Sequence, residues 1–261
     1  MSEPFVLVNR DGSIGVLTLN RPELLNAINV EMILAIESAF MELENDDSIR
    51  VVVVTGAGDK AFMAGGDIAD LGSRDALAHY IEFAEIVHRT FRRFEISDKP
   101  NIAAINGYAL GGGMEMILAM DIRLASDRAR LGLTEINLGL FPGGGGTQRL
   151  PRQIPDCLAA ELMMTGRHIP ADLAATFGIV NRVVPHASLM DEAMNLARLI
   201  ASKSPLVLKL MKRTIKDGAD MPLAAGLAYE RSMISLVLDS GDAHEGCAAF
   251  LEKRQPVFKG I

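Results

Sequence analysis

The sequence has no tryptophan, three tyrosines and two cysteines in 261 residues. Cysteine this scarce excludes a disulfide scaffold. Cys157 and Cys247 sit in helical-looking apolar segments without metal-type spacing, and read as small buried hydrophobes in a reducing compartment. No run of about eighteen uncharged apolar residues occurs, and Met1-Ser2-Glu3-Pro4 lacks a basic region followed by an apolar stretch. Neither a membrane span nor a secretory leader is expected, and the expected location is cytoplasmic. Positive charge is also in deficit. With 26 Lys+Arg against 33 Asp+Glu the net charge is −7, which argues against an extended basic face for nucleic acid or an acidic membrane, although it leaves room for local basic patches.

Several catalytic patterns are missing too. There is no G-x-S-x-G nucleophile elbow, no H-E-x-x-H, and no phosphate-binding G-x-x-x-x-G-K-[ST]; the run Gly143 to Gly146 continues into Thr147-Gln148 without the lysine. The five histidines, His79, His88, His168, His186 and His244, stand apart from one another, so no metal site is expected. Gly56-Ala57-Gly58-Asp59-Lys60-Ala61 formally fits the G-x-G-x-x-A variant of the dinucleotide fingerprint. A true fingerprint opens a helix, whereas Phe62-Met63-Ala64-Gly65-Gly66 is loop-like, so a turn after a strand is the better reading.

What is present is the composition of a folded chain: 49% hydrophobic and 23% charged residues. Phe5–Val8 and Gly15–Asn20 flank Asp11-Gly12 as a β-hairpin. Asn29 is a candidate N-cap for an amphipathic helix carrying Met32, Ile33, Ile36, Phe40 and Leu43. Val51–Thr55 is a β-branched run of the kind buried on both faces. A second helix spans about Ala76 to Phe94, with Leu77, Ile81, Ala84, Val87, Phe91 and Phe94 on one stripe. Strands at Asn101–Asn106 and Asp121–Ala125 bracket a short helix near Met114–Met120. Beyond Pro142 the segments 156–165, 170–177, 187–203, 204–217, 222–239 and 242–254 read helical, with Ile179–Val184 strand-like. The fold class is α/β. Residues 1–190 form the core carrying the site, and 191–261 a helical appendage.

Glycine is clustered. In Ala61–Ile68 small residues let a ligand approach backbone N–H groups; in Asn106–Glu115, Gly111-Gly112-Gly113 lead into a helix whose first N–H groups are unpaired. Together they supply two donors for one oxyanion, and each alone reads equally well as a tight turn. Glu115 lies one turn inside that helix. Glu135 follows Leu131-Gly132-Leu133 and precedes the loop Leu138 to Gly146. Two acids in apolar, glycine-rich surroundings acquire raised and divided pKa values if they converge, and spacing alone does not show that they do.

The segments Ala61–Ile68, Asn106–Glu115 and Thr134-Glu135-Ile136 through Pro142 to Leu150 resemble, in order and spacing, the enoyl-CoA hydratase/isomerase (crotonase) superfamily. The resemblance runs from Asn20-Arg21-Pro22 to Phe258. It implies a ClpP-like spiral of repeated ββα units, a C-terminal helical trimerisation region, and a homo-oligomer, either a trimer or a dimer of trimers. By the same match the N–H groups of Ala64 and Gly112 look like the oxyanion hole for a thioester carbonyl, and Glu115 and Glu135 like the two glutamates that hold one water. Glu23, Leu24 and Ala27, with Met63, Gly65, Gly66, Asp67 and Ile68, would lie along coenzyme A; Gly111, Pro142 and Gly143 complete the substrate-binding set. Residues 76–94 would wall the acyl group. Many relatives carry lysine where this chain has Glu23, which removes a phosphate contact. Lys259, near Lys253 and Arg254, is a candidate phosphate contact, and reads equally as part of a solvated tail.

The resemblance implies reversible hydration of a trans-2-enoyl-CoA to a 3-hydroxyacyl-CoA. Glu115 would activate the water and Glu135 exchange the proton at Cα. No cofactor is implied, because coenzyme A is part of the substrate. A Δ3,Δ2-enoyl-CoA isomerase, which needs one base, is the near alternative. A non-catalytic acyl-CoA- or RNA-binding relative is the alternative of another class, opposed by the negative net charge and by the presence of both glutamates.

Overall fold

A computed structural model describes residues 3–261. The hairpin forms as β1 (Val6–Asp11) and β2 (Ile14–Leu19), paired antiparallel, with Gly12 at φ 57 in the turn. α1 (Val30–Asn45) begins where Asn29 accepts the Met32 N–H, and buries Met32, Ile33, Ile36, Phe40 and Leu43. β3 (Val51–Gly56) is buried at every position. Its side chains alternate between two apolar cores: Val52 and Val54 point toward the α1 layer, Val51 and Val53 toward α9 (Leu189–Ala201). The continuous valine run is therefore a strand sandwiched between helices.

After β3 the chain repeats one step. β3, β5 (Asn101–Ile105) and β7 (Ile122–Ser126) enter a six-stranded sheet of order β1-β2-β3-β5-β7-β10, in which β10 is Arg182–Val184. The strand that follows each, β4 (Ala61–Met63), β6 (Tyr108–Leu110) or β8 (Arg130–Gly132), enters a second sheet that β9 (Ile169–Pro170) closes antiparallel. Each pair of strands thus contributes once to each layer, giving a spiral of ββα units.

The short helices are α2 (Ile68–Leu71), α3 (Ala76–His79), α5 (Gly112–Leu118), α6 (Gly146–Arg149), α7 (Asp156–Thr165) and α8 (Ala171–Thr176). α4 (Glu85–Ile96) continues from α3 through a π turn at Tyr80–Ala84. The C-terminal helices are α10 (Pro205–Gly218), α11 (Leu223–Leu238) and α12 (Gly241–Leu251). Buried Lys212 pins α10 to the core through the Phe94 carbonyl at 2.8 Å and Asp121 at 2.7 Å. No helix among the described residues is long and apolar enough to cross a membrane.

Three readings from sequence change. Phe62 and Met63 belong to β4 rather than to a loop, and β6 lies hidden inside a glycine-rich stretch; three-residue strands are too short for alternation to show. One reading stands unchanged: Ala57–Lys60 is a bend leading into β4, and the G-x-G-x-x-A run opens no helix, as the turn reading expects. The stripe over 76–94 breaks: Phe83, Val87, Phe91 and Phe94 are buried, but Leu77 and Ile81 are 68% and 53% exposed. The π turn inserts extra backbone and rotates the first turns away from the core. Cys157 and Cys247 are exposed, on outward faces of α7 and α12.

Candidate active site

The glycines of the α5 entrance are required by close approach. Gly111 has φ 49, and its N–H donates to the Gly132 carbonyl at 2.8 Å, tying α5 to β8. A Cβ on Gly113 would overlap the Met63 carbonyl oxygen, so only glycine lets α5 lie against β4. From the next turn Glu115 projects inward, 4% exposed. Its Oε1 accepts the N–H groups of Gly144 at 2.7 Å and Gly146 at 2.8 Å. A Cβ on Gly144 would stand 2.5 Å from Glu115 Oε2 and would push that carboxyl aside.

Glu135 opens the 3₁₀ turn Glu135–Leu138. Its Oε2 is buried without a hydrogen-bond partner, while Oε1 lies 3.1 Å from where a Gly111 Cβ would be. Burial, and then the nearby Glu115 charge, push the Glu135 carboxyl up to about 7. Burial also raises Glu115, opposed by the two N–H bonds and by the positive charge of Arg149. Two acids in one site are thus held differently: Glu115 is anchored by donors that favour its anion, and Glu135 is desolvated.

Both carboxyls face a cavity of about 400 Å³. Gly66, Gly112 and Gly143 line it beside them, so five of the residues expected from sequence converge. Apart from the glutamates and His79, the lining side chains are apolar or glycine. Leu71, Phe83, Ala84 and Val87 form one wall, with Leu140 and Phe141 on the loop opposite. His79, Phe83, Ala84 and Val87 all fall in the 76–94 stretch expected to wall the acyl group, but no motif singled His79 out.

The other expected residues support or flank the cavity. Gly65, at φ 103, packs on Gly111, and Pro142 packs against Gly146. Met63 is fully buried beneath α5. Asp67 caps α2 and pairs with Arg21 at 2.8 Å. Ile68 and Leu24 are exposed, and the Ala27 carbonyl accepts a bond from Arg21. Glu23 lines a separate cleft with Lys60, and Lys259 one beside α12. One expectation is corrected. The Ala64 N–H donates to the Leu25 carbonyl at 3.0 Å, so it is not free to serve an oxyanion. Leu25 and Asn26 adopt φ 53 and 59, a costly left-handed pair at the turn whose carbonyl meets the residue following β4. Asn106 steadies the bend between β3 and β4, its Nδ2 donating to the carbonyls of Gly56 and Gly58 at 3.0 and 2.8 Å. Among the described residues no cluster of His, Cys, Asp and Glu is arranged to hold a metal.

The sequence model described as "Enoyl-CoA hydratase/isomerase" matches residues 9–261. The chain belongs to that family. Its relatives in the family include the short-chain-enoyl-CoA hydratase of Clostridium acetobutylicum, 39% identical over 250 residues, with 96% of this chain and 95% of that protein covered. The 2,3-dehydroadipyl-CoA hydratase of Escherichia coli is 39% identical over 260 residues and the full length of both. The crystal structure of an enoyl-CoA hydratase from Bacillus anthracis superposes with a TM-score of 0.95 at 38% identity, covering 98% of this chain and 100% of that one. The spiral of ββα units with its C-terminal helices is therefore the crotonase fold, and the family is one of acyl-CoA hydratases and isomerases.

Proposed function

We propose that the protein catalyses reversible hydration of a trans-2-enoyl-CoA to a 3-hydroxyacyl-CoA. The convergence of Glu115 and Glu135 on one largely apolar cavity, with unequal hydrogen bonding, carries the reading. The Gly112 N–H, in the first turn of α5, polarises the thioester carbonyl together with a second N–H of the Met63–Gly66 stretch, other than that of Ala64. Such donors contribute roughly 3–4 kcal/mol each in other enzymes. Glu115 takes a proton from water as its oxygen attacks Cβ, and the electron pair moves to the thioester oxygen as an enolate. Glu135 then gives its proton to Cα, and the enolate collapses to the 3-hydroxyacyl thioester. One proton has been gained by Glu115 and one lost by Glu135, so transfer between them restores the pair. No cofactor enters.

The assembly proposed is a homo-oligomer, a trimer or a dimer of trimers. α11 buries none of its residues within the chain and exposes Leu223, Leu227, Ile234 and Leu238, an apolar face that a second copy would cover.

Loss of conjugated-thioester absorbance with crotonyl-CoA tests the reading. Glu115→Gln and Glu135→Gln are each expected to lower kcat at least 10²-fold or so. Unchanged turnover in both variants would sink it, and faster conjugation of a 3-enoyl-CoA than hydration of its product would instead assign isomerisation.

A further inference from the structure

Arg149, at the end of α6, curls back over the glycine loop that holds Glu115. Its Nη1 donates to the Gly144 carbonyl at 3.0 Å, while Nε and Nη2 fork onto the Glu95 carboxylate at 2.7 and 3.1 Å. Glu95 lies on α4, the helix that also supplies Val87 to the cavity wall. Both members of the ion pair are about seven-eighths buried, at 13% and 14% side-chain exposure, so water competes little for the fork. The loop is shaped around the guanidinium: Gly145 has φ 113, and a Cβ there would overlap Arg149 Nη1. The peptide joining Gly144 to Gly145 lies between the two N–H groups that grip Glu115, so fixing its carbonyl fixes the direction of both donors.

We propose that Arg149, braced by Glu95, is a positioning residue that holds the Gly144–Gly146 backbone so that Glu115 keeps one orientation in the cavity. Its kinetic consequences rest on the hydration reading above. Arg149 touches no substrate; it acts through the loop. Without it the Gly144 carbonyl loses its donor, the 144–146 backbone relaxes, and Glu115 Oε2 loses its fixed position relative to the attacking water. The groups that bear on Glu115 are Glu135 and His79 across the cavity and, behind the loop, Arg149 with Glu95, Arg92 and His88.

The test uses Arg149→Ala, Arg149→Lys and the double variant of Arg149→Ala with Glu115→Gln, assayed on crotonyl-CoA. Arg149→Ala is expected to lower kcat about 10²-fold with KM nearly unchanged. Millimolar guanidinium is expected to restore part of it, since Arg149 also lines an open surface cleft of about 580 Å³. Arg149→Lys keeps the charge without the fork, and is expected to retain an intermediate rate and a near-native melting temperature, which guards against misfolding of the alanine variant. In the double variant Arg149→Ala is expected to add nothing to the loss from Glu115→Gln. Additive losses, or a rise in KM with kcat intact, would overturn the proposal. Should the wild type hydrate no enoyl-CoA, the functional reading fails by itself, and Arg149 is judged by titrating ¹³C-labelled glutamate carboxyls. Arg149→Lys, which keeps the charge but not the fork, then raises the Glu115 midpoint if the proposal holds, and an unchanged midpoint overturns it.

Discussion

Glu115 and Glu135 share one cavity and are held in opposite ways: Glu115 Oε1 accepts two backbone N–H groups, while Glu135 Oε2 is buried with none. Burial raises both carboxyls, Glu135 to about 7, and at Glu115 the two N–H donors oppose that rise.

A pH profile follows. Hydration starts with the proton on Glu135 and dehydration with it on Glu115, so both directions use a pair carrying one proton. The net reaction neither takes up nor releases a proton. With Glu135 pushed up to about 7, kcat/KM for hydration and for dehydration should fall together as pH rises through about 7. Initial rates from both directions between about pH 5.5 and 9 would show the shared limb. A profile flat across that interval would remove Glu135 from the proton transfer.

The same shift affects stability. The folded state binds the Glu135 proton more tightly than the unfolded chain, whose carboxyl titrates near the ordinary 4.5. Folding therefore loses free energy as pH rises from about 4.5 to about 7, and the cost is complete above that. Glu135→Gln removes the titration. Its melting temperature relative to wild type should be more favourable at pH 8 than at pH 5, as melting curves at the two values would reveal.

Two glycine substitutions should separate folding from turnover. A Cβ on Gly113 meets backbone, the Met63 carbonyl, so Gly113→Ala is expected to cost about 2–3 kcal/mol of stability in chemical denaturation. On Gly144 the added carbon meets the tip of Glu115 at 2.5 Å. Gly144→Ala should therefore keep most of its stability and lose kcat by about 10²-fold, because Glu115 is pushed aside.

Asn106 bears on the fold at the site. It is 7% exposed, and its Nδ2 serves the carbonyls of Gly56 and Gly58 while its Oδ1 accepts the Gly56 N–H at 3.2 Å. Asn106→Ala leaves these groups without that partner. A loss of about 2–3 kcal/mol in urea unfolding is expected. An unperturbed midpoint would show that water replaces the side chain.

The sequence by itself determined the long elements. Asn29 with the spacing Met32, Ile33, Ile36, Phe40 specifies α1, and four consecutive valines specify a strand covered on both sides, because burial repeats with the period of the backbone. It also marked both glutamates and the glycine runs around them, since their order and spacing lie along the chain. Tertiary structure decided what depends on contacts remote in sequence. β4 and β6 exist because each pairs with the other, and three residues are too few for a pattern. The π turn displaced Leu77 and Ile81, and helical periodicity cannot register one inserted residue before the backbone is built. Ala64 lost its proposed role to the Leu25 carbonyl, a partner fixed by left-handed backbone in a different turn. The unequal hydrogen bonding of Glu115 and Glu135 was likewise settled in space, because the donors to Glu115 come from Gly144 and Gly146, 29 and 31 residues away, and only folding brings them to the same cavity.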